Sequence, residues 1–507
     1  MADSAPAEAS DRAYQPPAGR VSEYQFSGDG SAGWPYQVRA EWLPLRERER
    51  AVAEVFHVAY LAGDAHPGER PLTFAFNGGP GASSAFLHLG ALGPQRVAFA
   101  ADGTAPPPPV QLESNPASWL PWTDLVFVDP VGTGFSRPLE AASDTSAPSQ
   151  QNRSDTAQRD SQAETGNFYA LQRDLDALAE FLQRFLSRHG RWESPIFVVG
   201  ESYGGFRVAK LTQLLQQRYG IGLNGAILLS PALEFQILDP SDYDLLPWID
   251  TFPTMAATAA FHGASRTWAP DAAPETVRAE AARFASNDLP RLLVQGAAMP
   301  DEERQALLQT MADMLGLPEA LVTAAQGRIA KTTFVRHLLR DHRRVCGLYD
   351  ATVTAVDPYP DRERYEGPDP TLAGIDRIFE AGINALLRRE LGLETERPYT
   401  LVNWEANRCW QVDLERHLLE RQIGATDELR YGLQLNPHLQ VYLAHGYYDL
   451  VTPFHTSDRL VQLMKLDEGA AARLAVERFG GGHMFYTWPA SRSALATTMQ
   501  AFYARAI

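Results

Sequence analysis

A serine lies between glycines in the stretch VVGESYGGFR, residues 198–207. The pattern Gly200-x-Ser202-x-Gly204 is typical of a sharp turn between a strand and a helix that exposes a nucleophilic hydroxyl. Glycine and serine are common, so the five residues alone fit an ordinary turn equally well. A serine hydroxyl is also a weak nucleophile unless a base removes its proton and a third group orients that base. The rest of the chain must supply those two groups.

Two further residues could complete such a group. Asp449 lies in YLAHGYYDLVTP, just after a predicted strand, and His483 lies in the glycine-rich loop of VERFGGGHMFY, after the last predicted strand. Taken singly, they fit a solvated loop aspartate and a histidine in a turn. Together they follow Ser202 in the chain order that such an elbow requires, and all three lie at strand ends, where active loops meet. We therefore predict a catalytic triad.

Acyl transfer also needs two N–H donors for the oxygen that becomes negatively charged. The N–H that follows the nucleophile, that of Tyr203, is one candidate. The upstream stretch NGGPG, residues 77–81, is the natural source of the second, because glycine lets the backbone approach a substrate closely. We choose the Gly79 N–H. The alternative is an ordinary tight turn, since Gly-Pro turns are common.

Strands and helices alternate around these residues. Apolar runs that read as buried parallel strands occur in PLTFAF, TDLVFV, SPIFVVG, NGAILLS and LQVYLAHG. Apolar residues at steps of three and four from Phe168 to Phe185 predict an amphipathic helix that ends near His189-Gly190. Upstream, YQVRAEWLPL and AVAEVFHVAYLA predict a hairpin across the turn RERER. The alternation predicts an α/β protein with a doubly wound sheet.

With 507 residues, the chain is longer than one compact core usually holds. Residues 236–395 are dominated by helical patterns, which predicts a mostly helical insertion, or cap. We expect a flexible tail at 1–20, the first part of the core at 21–235, the insertion at 236–395 and the second part of the core at 396–507. A polar stretch after Pro138 predicts a mobile surface loop.

Composition and charge indicate which partners and which location to expect. Lys and Arg total 45 against 62 Asp and Glu, a net charge of −17, which disfavours nucleic-acid and membrane partners. No apolar run is long enough for a transmembrane helix. The start of the chain has no secretory signal pattern, so we expect a cytoplasmic protein.

The two cysteines, Cys346 and Cys409, allow at most one disulfide and have no metal-like spacing. The histidines show no paired motif either, and we expect no metal.

The motifs NGGPGASS, NPASWL, VDPVGTGFS, GESYGG, GYYDLVTPF and GGHMFY occur in that order between about residue 72 and the C-terminus. In these motifs the chain resembles the serine carboxypeptidase family, most closely its bacterial members. The resemblance implies an α/β-hydrolase fold, with a mixed, mostly parallel sheet flanked by helices and a helical insertion. It also implies release of C-terminal residues from peptide substrates through an acyl-enzyme, without metal or cofactor.

The resemblance assigns further roles. Asn77, Gly78 and a protonated Glu201 would bind the substrate's terminal carboxylate, which would favour activity at acidic pH because like charges raise the pKa of one group. The alternative for Glu201 is a structural brace of the elbow. Met484 would line the pocket of the leaving residue, or be a core methionine. NWEANRCW, residues 403–410, reads as structural, with a place in the cleft as the alternative.

Two positions depart from the family pattern. Ala82 stands where better-known members carry a disulfide-bonded cysteine, and Ala91 stands where they carry a second glutamate. The second change removes one arm of the implied carboxylate-binding network. An esterase or acyltransferase that uses the same triad therefore remains an alternative, as does a catalytically silent binding protein on this fold.

Overall fold

A computed structural model describes residues 14–26, 33–63, 66–139, 167–238, 240–412 and 423–507. Its strands, numbered in chain order, are β1 Arg20–Phe26, β2 Trp34–Glu47, β3 Arg50–Ala62, β4 Leu72–Phe76, β5 Gln95–Val97, β6 Leu112–Ser114, β7 Asp124–Val128, β8 Arg137–Pro138, β9 Ile196–Glu201, β10 Gly225–Leu229, β11 Arg344–Cys346, β12 Thr354–Val356, β13 Gln440–Gly446 and β14 Leu474–Phe479.

The helices are numbered in the same way. They are α1 Ala85–Leu87, α2 Leu171–His189, α3 Tyr203–Leu214, α4 Leu246–Phe261, α5 Pro274–Gln295, α6 Asp301–Leu315, α7 Glu319–Ala324, α8 Lys331–His337, α9 Pro370–Asn384, α10 Trp404–Arg408, α11 Thr426–Leu435, α12 Phe454–Leu463, α13 Glu468–Ala471 and α14 Pro489–Ala506. None of the helices in the described ranges combines the length and apolar character needed to cross a lipid bilayer.

One large sheet organises the described residues. Its strand order is β1-β2-β3-β7-β4-β9-β10-β13-β14, and β8 pairs with β3. The first strands pair antiparallel, and the strands from β7 to β14 pair parallel. A mixed, mostly parallel sheet with this order and with helices on both faces is the α/β-hydrolase fold, as predicted.

Helices cover both faces of the sheet. On one face, α2, α3 and α11 pack their apolar side chains against the sheet, and on the other α9 and α14 do so. The apolar stripe of α2 is the one predicted from sequence, and Gly190 ends the helix with a φ of 63°, the left-handed conformation that favours glycine. These layers hold the parallel strands rigidly, so that their carboxyl ends present loops at one edge.

The segment between β10 and β13 contains most of the helices outside the sheet layers. Helices α4 to α8 share an apolar core of their own, which also includes Tyr447, Tyr448 and Leu450 from the loop after β13. That core therefore joins the helices to a loop at the carboxyl edge of the sheet. The pair β11–β12 also lies in this segment and was not predicted, since its strands are only three residues long.

Three other predicted features have different outcomes. The predicted hairpin is confirmed as β2 and β3. Strand β1, which pairs with β2 along its whole length, was not predicted. The predicted tail lies outside the described residues over 1–13, whereas the Tyr14 hydroxyl donates a hydrogen bond to the buried Glu54 carboxylate. Most of the predicted mobile loop, residues 140–166, also lies outside the described residues.

Candidate active site

The turn between β9 and α3 carries Ser202. Its backbone has φ 61° and ψ −123°, a strained conformation for a residue with a side chain. The glycines allow this turn because a Cβ at Gly200 would lie 2.1 Å from the Gly204 carbonyl oxygen, and a Cβ at Gly204 would lie 2.5 Å from the Phe76 carbonyl oxygen. The pattern read from the sequence therefore corresponds to a turn in which the end of β4, β9 and α3 touch through their backbones.

Asp449 and His483 meet in the loops after β13 and β14. The distance between Asp449 Oδ2 and His483 Nδ1 is 2.8 Å, and both side chains are buried. Asp449 Oδ1 accepts hydrogen bonds from the Val451 and Thr452 N–H groups, at 2.8 and 3.0 Å. The carboxylate is thus fixed from two sides, and it directs the Nδ1 proton of the imidazole towards itself, which leaves Nε2 as the free base.

Ser202 and His483 line one cavity of about 90 Å³ at the carboxyl edge of the sheet. Among the described residues, no hydrogen bond joins Ser202 Oγ to His483. Such bonds are often long before substrate binds and shorten in the complex. The structure therefore brings the three predicted residues into one site, with the acid and base in direct contact and the serine in the same cavity wall.

The predicted N–H donors lie beside the serine. Gly78 and Gly79 line the cavity, and a Cβ at Gly78 would lie 2.5 Å from the Tyr203 nitrogen, so the two backbone segments are in close contact. Gly79 has a φ of 100°, which favours glycine. Within the described ranges, neither the Gly79 nor the Tyr203 N–H donates to a protein acceptor. Both donors are therefore available to a ligand.

Glu201 is buried directly before the serine. Its Oε2 accepts a hydrogen bond from Asn77 Nδ2 at 3.0 Å and another from the Tyr486 hydroxyl. Asn77 is held in turn, because its Oδ1 accepts from the Leu87 N–H at 3.0 Å. Burial raises the pKa of Glu201 to about 7, although the nearby His483 and these hydrogen bonds favour the ionised form.

Tyr486 was not assigned a role from the sequence, although it closes the motif GGHMFY. Its side chain is fully buried. The sequence shows only that this tyrosine follows the histidine by three residues. Nothing in the pattern indicates that its hydroxyl would reach Glu201. Met484, which was predicted, is buried and lines the cavity.

His483 and Glu201 influence each other's charge. Burial opposes protonation of His483, but the Asp449 carboxylate and its hydrogen bond, together with Glu201, outweigh burial and raise the histidine pKa above its usual value. Each group thus stabilises the charged form of the other, and the two titrate as a pair.

Several other residues complete the cavity, and they come from segments that the motifs do not cover. Trp404 and Asn407 belong to the stretch NWEANRCW, so that its second interpretation, a place in the cleft, is the one the structure supports. Tyr349, Leu372 and Asp376 come from the segment between β10 and β13. No sequence pattern marked these three.

Ala91 does not line this cavity. It is buried in the π-helical turn His88–Leu92 that follows α1, and its carbonyl oxygen accepts a hydrogen bond from Asn115 Nδ2 at 2.8 Å. The position thus contributes backbone packing and no carboxylate to the site.

One group of side chains has the composition of a metal site. Ligand atoms of Glu41, His57 and His189 lie within 4.8 Å of one another, and none of the three residues lines the cavity. However, Glu41 is already paired with Arg39 at 2.8 Å, and Arg188 lies 3.6 Å from its other oxygen. These guanidinium groups neutralise the only anionic ligand and repel a cation, so we assign no metal there. Cys346 and Cys409 are both free thiols.

A family model described as serine carboxypeptidase matches residues 40–237, from β2 to the segment after β10. Over these residues the chain is similar to the serine carboxypeptidase family. The matched range contains Asn77, Gly79 and the elbow at Ser202, whereas Asp449 and His483 lie beyond it. The family resemblance stated from the motifs is therefore confirmed where the nucleophile and its neighbours lie.

Relatives within this family come from Arabidopsis thaliana. Serine carboxypeptidase-like 13 is 30% identical over 201 residues, covering 39% of this chain and 40% of the relative. Serine carboxypeptidase-like 36 is 32% identical over 192 residues, covering 37% and 34%. The chain thus spans about two fifths or less of the length of each of these relatives. They are plant proteins, and the closer likeness to bacterial members stays a prediction.

Solved structures give a weaker likeness. Proline iminopeptidase from Mycobacterium smegmatis matches with a TM-score of 0.35 and 13% identity, covering 92% of this chain and all of that one. At this score the match adds nothing to the fold assignment, which rests on the strand order of the sheet.

Proposed function

We propose that this protein is a serine carboxypeptidase, which releases the last residue of a peptide through an acyl-enzyme. Ser202 Oγ attacks the last peptide carbonyl carbon, and His483 Nε2 takes the hydroxyl proton. His483 then gives that proton to the leaving amino group, so that the C–N bond breaks and the acyl group stays on Ser202. Water, activated by His483, releases the acyl group.

Backbone N–H groups stabilise the charge that develops. The Gly79 and Tyr203 N–H groups, which lack protein acceptors among the described residues, would donate to the tetrahedral oxyanion. Asp449 holds His483 in the tautomer that leaves Nε2 free. These roles serve any acyl transfer by the triad, and they do not by themselves select a peptide's end.

Glu201 is the residue that favours a carboxypeptidase over another acyl-transfer enzyme. It is a buried carboxyl beside the nucleophile, in contact with Asn77 and Tyr486, with a pKa raised to about 7 by burial. When protonated, it can donate a hydrogen bond to an anionic carboxylate that Asn77 and Gly78 also contact. An ionised Glu201 would repel that carboxylate instead.

Two protonation states must coincide for this chemistry. Glu201 must keep its proton to bind the substrate carboxylate, so kcat/KM falls as pH rises through the pKa of Glu201, about 7. His483 must be neutral to accept the proton of Ser202, so kcat/KM rises as pH increases through the raised pKa of His483. The active form is the singly protonated pair in which Glu201 holds the proton, and the pH profile is bell-shaped.

The test measures kcat/KM from pH 4 to 9, in the parent and in Glu201→Gln. The substrates are an N-acylated dipeptide that has a free C-terminus and its C-terminal amide. Glutamine keeps a donor at the same place but cannot ionise. We expect the parent to cleave the free acid faster, with an alkaline limb near pH 7 that the amide lacks. In Glu201→Gln that limb should vanish for the free acid. Equal kcat/KM for acid and amide, or an unchanged limb in the variant, would contradict the proposal.

The second candidate is transfer of an acyl group from an ester. Ala91, which supplies no carboxylate to the site, favours it, because the network for a substrate carboxylate has one member fewer than in the better-known members of the family. An ester of the same N-acylated residue distinguishes the two. Faster turnover of the ester together with no turnover of the free-acid peptide would favour this candidate.

A further inference from the structure

Helix α9 places a second carboxyl group in the cavity, outside the machinery described above. Asp376 lines the same cavity wall as Ser202 and Glu201. Its Oδ1 is buried and has no hydrogen-bond partner among the described residues. A carboxylate oxygen without a hydrogen-bond partner is costly to bury, so this carboxyl group would gain from a cation that enters the cavity it lines.

The charges around Asp376 are mostly of its own sign. Burial raises the pKa of Asp376 to about 6, and the carboxylates of Asp369, just before α9, and of Glu380, within it, add to that effect. From the other walls it shares the cavity with Glu201, His483 and Tyr349. No lysine or arginine lines the cavity in the part of the chain that the structure describes. Above about pH 6, Asp376 therefore carries a negative charge without a fixed cation.

The remaining walls suit a long cationic side chain. Phe86, Leu372 and Met484 provide apolar surface against which methylene groups can pack. The ring of Tyr349 contacts His483 edge-on, with centroids 5.3 Å apart. Its hydroxyl makes no hydrogen bond within the described ranges and can accept one from a guanidinium group.

We propose that Asp376 is a specificity-determining residue that selects peptides ending in arginine or lysine, by pairing with the cationic side chain of the residue to be released. The inference rests on the proposed function, because Asn77, Gly78 and Glu201, which would bind the terminal carboxylate, line the same cavity as Asp376. The side chain of the residue that bears that carboxylate is therefore the one within reach.

Binding is measured first, without turnover, by isothermal titration of Ser202→Ala. The probes are N-acetyl-Phe-Arg and N-acetyl-Phe-citrulline, which have nearly the same shape and differ in side-chain charge. At pH 7.5 we expect the arginine peptide to bind about tenfold tighter or more, as for a desolvated charge pair. In Ser202→Ala/Asp376→Asn the preference should disappear, whereas Ser202→Ala/Glu380→Gln should keep it. Glu380 lies on the same helix but does not line the cavity.

Kinetics supply the pH dependence. In the parent, the ratio of kcat/KM for the arginine and citrulline peptides should rise as pH increases through about 6, because Asp376 ionises, and it should be flat in Asp376→Asn. The requirements for Glu201 and His483 are common to both peptides and cancel in the ratio. A flat ratio in the parent would overturn the inference.

The two arms separate failure of this inference from failure of the proposed function. If the parent cleaves neither peptide, the proposed function fails. The binding measurement still shows whether Asp376 selects the cationic side chain. If both peptides are cleaved and bind equally in the Ser202→Ala background, Asp376 does not select the leaving residue and only the inference falls. The comparison of arginine with citrulline needs no change at Asp376, so a poorly folded variant would not prevent a decision.

Discussion

Asp449 uses both carboxylate oxygens to fix the orientation of His483. One oxygen accepts from two backbone N–H groups of its own loop, and the other lies 2.8 Å from the imidazole. The Thr452 hydroxyl also donates to that second oxygen, at 2.7 Å. The aspartate is thus rigid before substrate arrives, and preorganised orientation of the base is what its proposed role requires.

We expect Asp449→Asn to fold normally but to lower kcat by about 10⁴-fold. The amide keeps the volume of the side chain, but its NH₂ group cannot accept the Nδ1 proton, so His483 adopts the tautomer that cannot act as base. Steady-state kinetics on a free-acid dipeptide, with circular dichroism to confirm folding, measure the effect. The exposed Asp427→Asn is the matched control and should change kcat little. A fall of less than tenfold in Asp449→Asn would contradict the assigned role.

At the scale of elements, the elbow depends on the close approach of three backbones. The end of β4, the end of β9 and the first turn of α3 leave no space for a Cβ at Gly200 or Gly204. In the turn they form, the side chain of Ser202 and the Tyr203 N–H lie at the carboxyl edge of the sheet. A change in this packing should therefore affect stability and activity together.

Gly204→Ala tests that packing. The new Cβ would lie 2.5 Å from the Phe76 carbonyl oxygen, which is fixed in the sheet, so α3 must shift. We expect a destabilisation of about 1–3 kcal/mol, seen as a lower melting temperature, and a loss of kcat that exceeds any change in KM. Gly222→Ala is the control, because nothing lies within 4 Å of its added Cβ and its φ is not in the left-handed region. Equal melting temperatures for the two variants would show that the close approach is not required.

The sequence predicted the elements that have strong patterns. Buried parallel strands such as β9 and β10 are unbroken apolar runs, so they could be recognised without the structure. Strand β1 was missed because an edge strand with one exposed face has few apolar residues, as in RVSEYQF. Helix α9 was predicted as a helix, but its pattern marks only the face that packs on the core. That pattern does not show that Asp376 lies in the cavity wall.

At the scale of the whole molecule, the site is assembled from segments far apart in the sequence. The motifs predicted the residues that we propose as catalytic, since triad order and strand ends constrain them strongly. Tyr349, Leu372 and Asp376 could not be predicted, because they reach the cavity only through the packing of the segment between β10 and β13. Sequence motifs therefore predict the proposed catalytic residues better than the residues that set substrate specificity.

Removal of residues from free C-termini by Ser202 is the activity that we propose for the whole protein. Mass spectrometry of a mixed peptide pool, containing free and amidated C-termini, decides on it when the parent, Ser202→Ala and the exposed-serine control Ser493→Ala are incubated in parallel. We predict stepwise loss of single C-terminal residues from the free-acid peptides with the parent and the control, and none with Ser202→Ala. Internal cleavage, or the same products with Ser202→Ala, would rule out this activity.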